Sequence, residues 1–193
     1  MSANKNTIIE ISNLSFKYET AECPAIYDIN YQFEAGKIYA ILGQNGSGKS
    51  TLLKCVCNYL NNFDGHIKIR IDNELCDIKQ LNSNIRAQNI AFVSQANYQN
   101  SLDVYENIML GRKPYINFTP TKIDHEMTSR AIDKFNLSHL SFNNFSDLSG
   151  GEAQSVSIAR AYAQNTPVLL MDEPSNNLDV KRNSEIFSII KED

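Results

Sequence analysis

The sequence lacks the features by which membrane and secreted proteins are usually recognised. No stretch approaches the 18 or more apolar residues that cross a membrane. The amino terminus carries no apolar core of a signal peptide before the first strand-like run. We therefore expect a cytoplasmic chain that reaches a membrane only through a partner.

A surplus of positive charge is also absent. The chain carries 18 Lys and Arg against 22 Asp and Glu, a formal net charge of −4. A protein that binds nucleic acid through its overall charge needs a basic face. We therefore expect no nucleic-acid partner.

The cysteines form no C-x-x-C pair, which argues against a structural zinc site. Cys55 and Cys57 would point to different faces of a helix, so we expect ordinary buried thiols in a reducing compartment. The histidines lie near no plausible catalytic position, and we expect ordinary surface or core residues there. These residues are Cys23, Cys55, Cys57 and Cys76, and His66, His125 and His139.

The order of the patterned segments predicts an α/β protein. Strand-like patterns cover residues 7–18, 25–33, 37–42, 66–71, 89–93 and 168–171, and helical patterns cover 52–60, 102–110, 122–135, 151–163 and 180–190. The last strand, an apolar run without alternation, is typical of a parallel strand buried on both faces. This order predicts an α/β core with an antiparallel β flap and a helical subdomain over about 97–147, within a single domain of residues 1–193.

A glycine-rich loop between a predicted strand and a predicted helix matches the pattern G-x-x-x-x-G-K-[ST] at every fixed position. Its glycines allow successive backbone N–H groups to point at phosphate oxygens, and the helix N-terminus adds a positive dipole end. Lys49 would reach the β- and γ-phosphates of ATP, and the Ser50 hydroxyl would hold Mg²⁺. The loop reads Gly43-Gln44-Asn45-Gly46-Ser47-Gly48-Lys49-Ser50 and is followed by Thr51.

Two acidic residues end the last predicted strand. Asp172 stands where a magnesium-binding carboxylate is expected in a phosphate-loop fold. Glu173 follows directly and could polarise the attacking water. Without the phosphate loop, such a pair would indicate a helix cap or a solvated turn.

The segment Leu148-Ser149-Gly150-Gly151-Glu152, with Gln154, lies between these two motifs. In this order the three motifs resemble those of the ATP-binding subunits of ABC transporters. The resemblance implies a P-loop NTPase core of the ABC ATPase type and ATP hydrolysis coupled to transport. It also implies that two copies sandwich two Mg-ATP molecules, with the signature segment of one copy closing over the phosphate loop of the other.

Smaller features fit the same resemblance. Gln95 resembles the glutamine that contacts magnesium and senses the permease. The segment from Ser175 to Asp179 resembles the D-loop, with Asn176 and Asn177 as variants. Tyr18 resembles the aromatic residue that stacks on adenine, although a place in the core with Leu14 and Phe16 is the alternative.

The run from Val104 to Tyr115 is similar to one in the ATPases of iron–siderophore, haem and cobalamin importers. The resemblance therefore favours an importer of ferric chelates, placed on the inner face of the membrane by its permease and served indirectly by a solute-binding protein. We expect Gln95, Arg112 and Tyr115 to form the surface that faces the permease.

Two other functions compete with transport. An ABC ATPase of DNA repair or chromosome organisation would carry a long coiled coil or a zinc module between the phosphate loop and the signature. Residues 51–148 show neither sustained heptads nor paired C-x-x-C motifs. A regulatory ATP-binding subunit without turnover is the second alternative, against which Glu173 argues.

In the family, a histidine that contacts the γ-phosphate follows the strand after the D-loop helix. Residues 180–193 suffice for a helix but not for a further strand. We therefore expect a chain that is incomplete at its carboxyl terminus, binds ATP but hydrolyses it poorly, and leaves the strand at 168–171 or its neighbour with an uncovered edge.

Overall fold

Alternating apolar residues build an antiparallel sheet in the amino-terminal unit, residues 1–86. Its strands are β1 (Thr7–Phe16), β2 (Ile26–Glu34), β3 (Asp64–Ile71) and β4 (Glu74–Asp77), hydrogen-bonded in the order β2-β1-β3-β4. Ile9 and Ile11 on β1 stand opposite Ile69 and Ile67 on β3, and all four side chains are buried. This sheet confirms the predicted antiparallel flap, although β4 had no recognisable pattern.

Helix α1 (Lys49–Val56) follows the glycine-rich loop, as predicted. It buries Cys55 and Val56 and ends four residues earlier than the apolar spacing indicated. The reason is Asn58, which takes a left-handed conformation with φ of 57°. Asparagine tolerates this conformation well, and a residue there stops the helix.

The strand predicted over 37–42 is wrong: these residues pair with no strand among those the structure describes. Ile38 and Leu42 are 63% and 91% exposed. Tyr39 and Lys37 attach the segment to β2: the Tyr39 ring packs on Phe33, its hydroxyl accepts the N–H of Glu34, and the Lys37 ammonium pairs with the Glu34 carboxylate. An apolar run can predict extended backbone, but a strand also requires a neighbour to share hydrogen bonds with.

The carboxyl-terminal unit, residues 87–193, contains a parallel pair of strands. They are β5 (Ile90–Val93) and β6 (Val168–Met171), which run in register from Ile90 opposite Val168 to Val93 opposite Met171. Helix α2 (Ser83–Asn89) leads into β5. On β6 only Val168 is fully buried, so the prediction of burial on both faces is wrong. Within the described residues β6 has a neighbouring strand on one edge only, so along its other edge no second strand adds side chains that would cover Leu169 to Met171 from the side.

Four helices supply the core of the second unit. They are α3 (Val104–Met109), α4 (Lys122–Lys134), α5 (Gly150–Gln164) and α6 (Val180–Glu192), with 3-10 turns at Leu110–Tyr115, Ser138–Leu140 and Phe145–Asp147. Helix α5 is the central one, and its small residues let neighbours approach on several sides. Phe135, Ile158 and Ile186 lie in the core that the helices share.

This computed structural model describes residues 6–95, 100–175 and 179–192. In that part of the chain no helix has both the length and the apolar character needed to span a membrane. The four cysteines are free. Cys23 is exposed, which corrects the expectation of buried thiols, because it lies in the turn between β1 and β2.

Arg112 is a buried residue that joins α3, α4 and α5. Its side chain donates to Asp124 at 3.1 Å and to the carbonyls of Ala163 and Gln164 at 2.9 and 3.3 Å. These carbonyls belong to the last turn of α5, where a cation satisfies unpaired acceptors and opposes the helix dipole. The adjacent Gly111 is required as well, because a Cβ there would lie 2.2 Å from the carbonyl oxygen of Arg160.

The expectation that Arg112 and Tyr115 face a permease is therefore wrong for Arg112, which is 5% exposed. The Tyr115 ring lies 4.1 Å below the guanidinium, and its hydroxyl donates to the carbonyls of Gln88 and Asn165. These contacts hold Tyr115 in place but leave it partly exposed, so its part in a permease-facing surface stays a prediction.

Replacing Arg112 by Met is expected to lower the free energy of unfolding by about 3 kcal/mol, because Asp124 then stays buried without its counter-charge. Chemical denaturation followed by circular dichroism measures this change. Lys113→Met, which removes an exposed charge from the next residue, is the matched control and should cost little. Equal stability of the two variants would contradict the structural role of Arg112.

Asp124 should make the unit sensitive to acid. Burial raises the pKa of its carboxyl, but hydrogen bonds from Thr121 and the Arg112 pair outweigh this and hold the pKa below 3.8. The stabilisation is therefore complete above about pH 3.8, the unfolded value, and is lost as pH falls through the lower folded pKa. In melting experiments across pH, the gap between wild type and Asp124→Asn should be largest near neutrality and shrink below pH 4. A gap that is independent of pH would refute this origin.

Candidate nucleotide site

The glycine-rich loop adopts a conformation that its glycines make possible. Gly46 and Gly48 have φ angles of +80° and +91°, where other residues are strained. Gly48 also has no room for a side chain, because a Cβ would lie 2.4 Å from the carbonyl oxygen of Ala25. The loop thus passes close to the start of β2 and turns directly into α1.

The first turn of α1 is arranged to receive an anion. Gly48 is the N-cap of the helix and makes no side-chain hydrogen bond there. No side chain at the cap therefore competes with an anion for the positive end of the helix dipole. Lys49 Nζ donates to the carbonyls of Gly43 and Gln44, both at 2.9 Å. The ammonium group is therefore held over the loop by its own backbone.

Tyr18 lies beside this helix. Its hydroxyl is 3.1 Å from Oγ1 of Thr51, in the first turn of α1, and its ring meets Phe16 edge to face. The strand ends at Phe16, and Tyr18 is 40% exposed, unlike Leu14, which is fully buried. The structure thus brings Tyr18 to the phosphate-loop helix with part of its ring accessible, while its stacking on adenine stays a prediction.

The acidic pair stands at the carboxyl end of β6. Asp172 is 4% exposed, and its N–H donates to the carbonyl of Val93 at 2.9 Å, which extends the pairing of β5 and β6 by one residue. Glu173 has a φ of +50°. This left-handed conformation costs a residue with a Cβ about 1 kcal/mol and is typical of functional positions.

Gln95 and Glu173 are joined although 78 positions separate them in the chain. The side-chain amide of Gln95 donates to a Glu173 carboxylate oxygen at 2.8 Å. The parallel pairing of β5 and β6 brings the two together, since each residue follows the carboxyl end of its strand. The two positions were predicted separately, and their contact was not.

Ser149 begins helix α5 through a capping box with Glu152. Its hydroxyl and its N–H donate to the Glu152 carboxylate at 2.6 and 2.8 Å, and the Glu152 N–H donates back to the hydroxyl at 3.4 Å. The hydrogen bonds from the Ser149 side chain and backbone hold the pKa of Glu152 below its ordinary value of 4.5. The capped helix start and the signature resemblance therefore describe the same residues.

Gln154, one turn further along α5, is almost fully buried, and its amide donates to the carbonyl of Pro174 at 3.4 Å. The signature helix is thereby attached to the loop that carries Asp172 and Glu173. The small residues at the start of α5 did not predict that Gln154 would bind the carbonyl of Pro174.

Asp179 caps α6, since its carboxylate accepts the N–H of Arg182 at 2.7 Å. The predicted D-loop residues Asn176, Asn177 and Leu178 lie outside the described part of the chain. A hollow of about 420 Å³ lies between this cap and the start of α5, with Ser149, Gly151, His139 and Arg182 in its wall. Neither His139 nor Arg182 was predicted to stand beside the signature residues, because no local motif contains them.

Within the described residues, no group of three or more His, Cys, Asp or Glu side chains is gathered closely enough to hold a metal ion. The predicted magnesium ligands are therefore single oxygen-bearing side chains: Ser50 in the first unit, and Gln95 and Asp172 in the second. Mg²⁺ commonly takes one or two protein ligands and completes its shell with phosphate oxygens and water.

Comparisons with known proteins agree with these motifs. The family model described as "ABC transporter" matches residues 26–176. An uncharacterised ABC transporter ATP-binding protein of Methanocaldococcus jannaschii is 38% identical over 183 residues, which cover 95% of this chain and 70% of that protein. A Helicobacter pylori protein named "probable iron chelatin transport ATP-binding protein" is 34% identical over 190 residues, 96% of this chain and 72% of its own.

Among solved structures, a dimeric ATP-binding cassette bound to ADP and phosphate matches with a TM-score of 0.82 and 27% identity. The match covers 95% of this chain and 81% of that one. Other relatives, 30% to 33% identical, are named as import ATPases for phosphonates, molybdate and spermidine/putrescine.

The phosphate loop, the acidic pair after β6 and the capped signature helix occur in the family's order, on the α/β fold of its ATPases. The chain belongs to the ABC transporter family, as one of its ATP-binding and ATP-hydrolysing subunits.

Proposed function

We propose that this subunit drives the import of a small solute, of the iron-chelate class, through a membrane permease. The chain would stand on the cytoplasmic face of the membrane, held there by the permease, and would work as a pair of copies. A solute-binding protein would take part only indirectly. The observation that carries the ATP-dependent part is the phosphate loop with Lys49 held over it.

The loop suits a triphosphate because phosphate oxygens could replace the acceptors that the Lys49 ammonium now uses. Lys49 donates to two carbonyl acceptors, and phosphate oxygens would replace them with charged ones. Charge-assisted hydrogen bonds of this kind are stronger than neutral ones. Tyr18 beside the helix supplies an exposed ring on which adenine could stack.

We assign Mg²⁺ to Ser50, Gln95 and Asp172, whose oxygen atoms suit a hard cation. Asp172 fits this role because it is 4% exposed and stands directly after the carboxyl end of β6, where a magnesium-binding carboxylate is expected in a phosphate-loop fold. When bound, the ion would neutralise charge on the β- and γ-phosphates.

Glu173 is the proposed general base that orients and polarises the attacking water. Its strained backbone and the amide of Gln95 both restrict where the carboxylate can lie. Gln95 would thus orient the base, in addition to any contact with the metal or the permease.

The second copy would contact the nucleotide through Ser149 and the glycines after it. In the single chain the Ser149 hydroxyl donates to Glu152, so a γ-phosphate must take over that proton donor. The N-terminus of α5 favours this exchange, because its dipole attracts negative charge.

The solute class rests on the named relatives rather than on the residues that first suggested it. In the run from Val104 to Tyr115, Gly111 and Arg112 are explained by packing against α5. The relatives include an iron chelatin ATPase at 34% identity, with the other solute classes at 30% to 33%.

Uptake by vesicles that contain the complete transporter, supplied in turn with ferric chelate, molybdate, phosphonate and spermidine, tests the solute. ATP-dependent uptake of a solute other than the chelate would refute this assignment.

Lys49→Ala should weaken ATP binding about tenfold to a hundredfold, because it removes the cation nearest the β- and γ-phosphates. Titration with a labelled ATP analogue measures the affinity. Lys54→Ala, which removes a positive charge from the last turn of the same helix, is the matched control. Wild-type affinity in a folded Lys49→Ala protein would sink the phosphate-loop assignment.

Glu173→Gln should retain ATP binding and abolish most turnover, because the amide keeps the size of the side chain but is not a base. ATP-bound dimers should then accumulate and be visible by size-exclusion chromatography with magnesium. Glu126→Gln, the same change at an exposed position on α4, controls for the loss of charge. Hydrolysis at the wild-type rate by Glu173→Gln would show that another group is the base.

A further inference from the structure

Arg182 on α6 makes donor contacts to three parts of the second unit. Its Nη2 donates to the carbonyl of Phe135 at 2.5 Å, its Nε to Oγ of Ser155 at 3.3 Å, and its Nη1 to Glu185 at 3.3 Å. The first contact reaches the end of α4 and the second reaches α5. Only the third lies within α6.

The contact with Ser155 continues to the signature residues. Ser155 is 1% exposed, and its hydroxyl donates to the carbonyl of Gly151 at 3.0 Å while accepting from Arg182. A hydroxyl that both accepts and donates joins its two neighbours into one chain, and such chains strengthen each bond. Arg182 is therefore linked to the carbonyl of Gly151 through a single atom, Oγ of Ser155.

The contact with Phe135 attaches Arg182 to the end of α4. Phe135 caps the carboxyl end of α4 and is fully buried, so its carbonyl is one of the helix-end acceptors that a cation satisfies well. A planar guanidinium reaches this carbonyl and Ser155 from separate nitrogens in a fixed fork, whereas a lysine ammonium would have to serve both acceptors from one nitrogen.

The backbone of Arg182 is fixed as well, because its N–H donates to the carboxylate of Asp179. One residue thus connects the aspartate before α6, the buried serine of α5 and the end of α4. Asp179, Arg182, Gly151 and Ser149 all border the same hollow of about 420 Å³.

We propose that Arg182 is a positioning residue for the ATP-bound dimer, which sets the signature residues Ser149 to Gly151 in register with Asp179. The inference rests on the proposed function, since the signature acts on the nucleotide of a second copy. Arg182 acts through Ser155 and Phe135 and does not touch the nucleotide.

The experiment measures ATP-driven dimerisation in the Glu173→Gln protein, where dimers accumulate. Arg182→Met and Arg182→Lys should each raise the ATP concentration for half-maximal dimer at least tenfold, since Lys keeps the charge but not the fork. Binding of a labelled ATP analogue to the monomer should be unchanged. Melting temperature is recorded for every variant, and dimerisation is compared at equal folded fraction.

Ser155→Ala breaks the link to Gly151 by removing one atom, and it should reproduce most of the Arg182→Met effect, with little added by combining the two. Lys181→Met, next to Arg182 on the same helix, and Glu126→Gln, at an exposed position of α4, should leave dimerisation unchanged. This second route tests the inference even where Arg182→Met folds poorly.

Two results separate the inference from the proposed function. Normal dimerisation in Arg182→Lys or in Ser155→Ala, with dimers present in the parent, would overturn the positioning role alone. Absence of ATP-dependent dimers in the Glu173→Gln parent would overturn the sandwich function and the inference with it.

Discussion

Burial of helix α5 is the constraint on which the second unit depends. Its amino terminus carries Ser149, which is proposed to contact the nucleotide of a second copy, yet most of its length lies in the core. Arg112 satisfies the carbonyls at its far end, and Gln154 attaches its first turns to the loop of the acidic pair. Because the helix is held at both ends, a small displacement at Ser149 would require the surrounding contacts to move as well.

The phosphate loop follows a different logic, since its geometry is almost entirely local. Two glycines with positive φ and a lysine that folds back on two carbonyls define it within seven residues. Outside the loop, the carbonyl of Ala25 approaches Gly48 closely, and Tyr18 contacts Thr51 in the helix that follows. A loop of this kind can be ready for a ligand before the ligand arrives, which lowers the entropy lost on binding.

This contrast explains what could be predicted from the sequence. The phosphate loop and the helix that follows it depend on neighbours in the chain, and their pattern predicted them. The strand expected at 37–42 depends on a neighbouring strand, which no local pattern can supply.

Long-range contacts escaped prediction for a related reason. The bond between Gln95 and Glu173 and the burial of Arg112 join residues far apart in the chain. A run that resembles an importer motif predicted a surface at Arg112, where the structure has a buried helix cap. Two related sequences can share a residue because packing requires it as well as because function does.

The left-handed backbone at Glu173 has a consequence for how this site can vary. Glycine or asparagine would suit that φ better than glutamate, so the backbone and the proposed role as general base prefer different residues at one position. The carboxylate of Glu173 therefore stands at a position where the backbone conformation favours another residue. Mutations that merely relax the loop would therefore be expected to drift toward a more stable and less active protein, and only selection for turnover would oppose them.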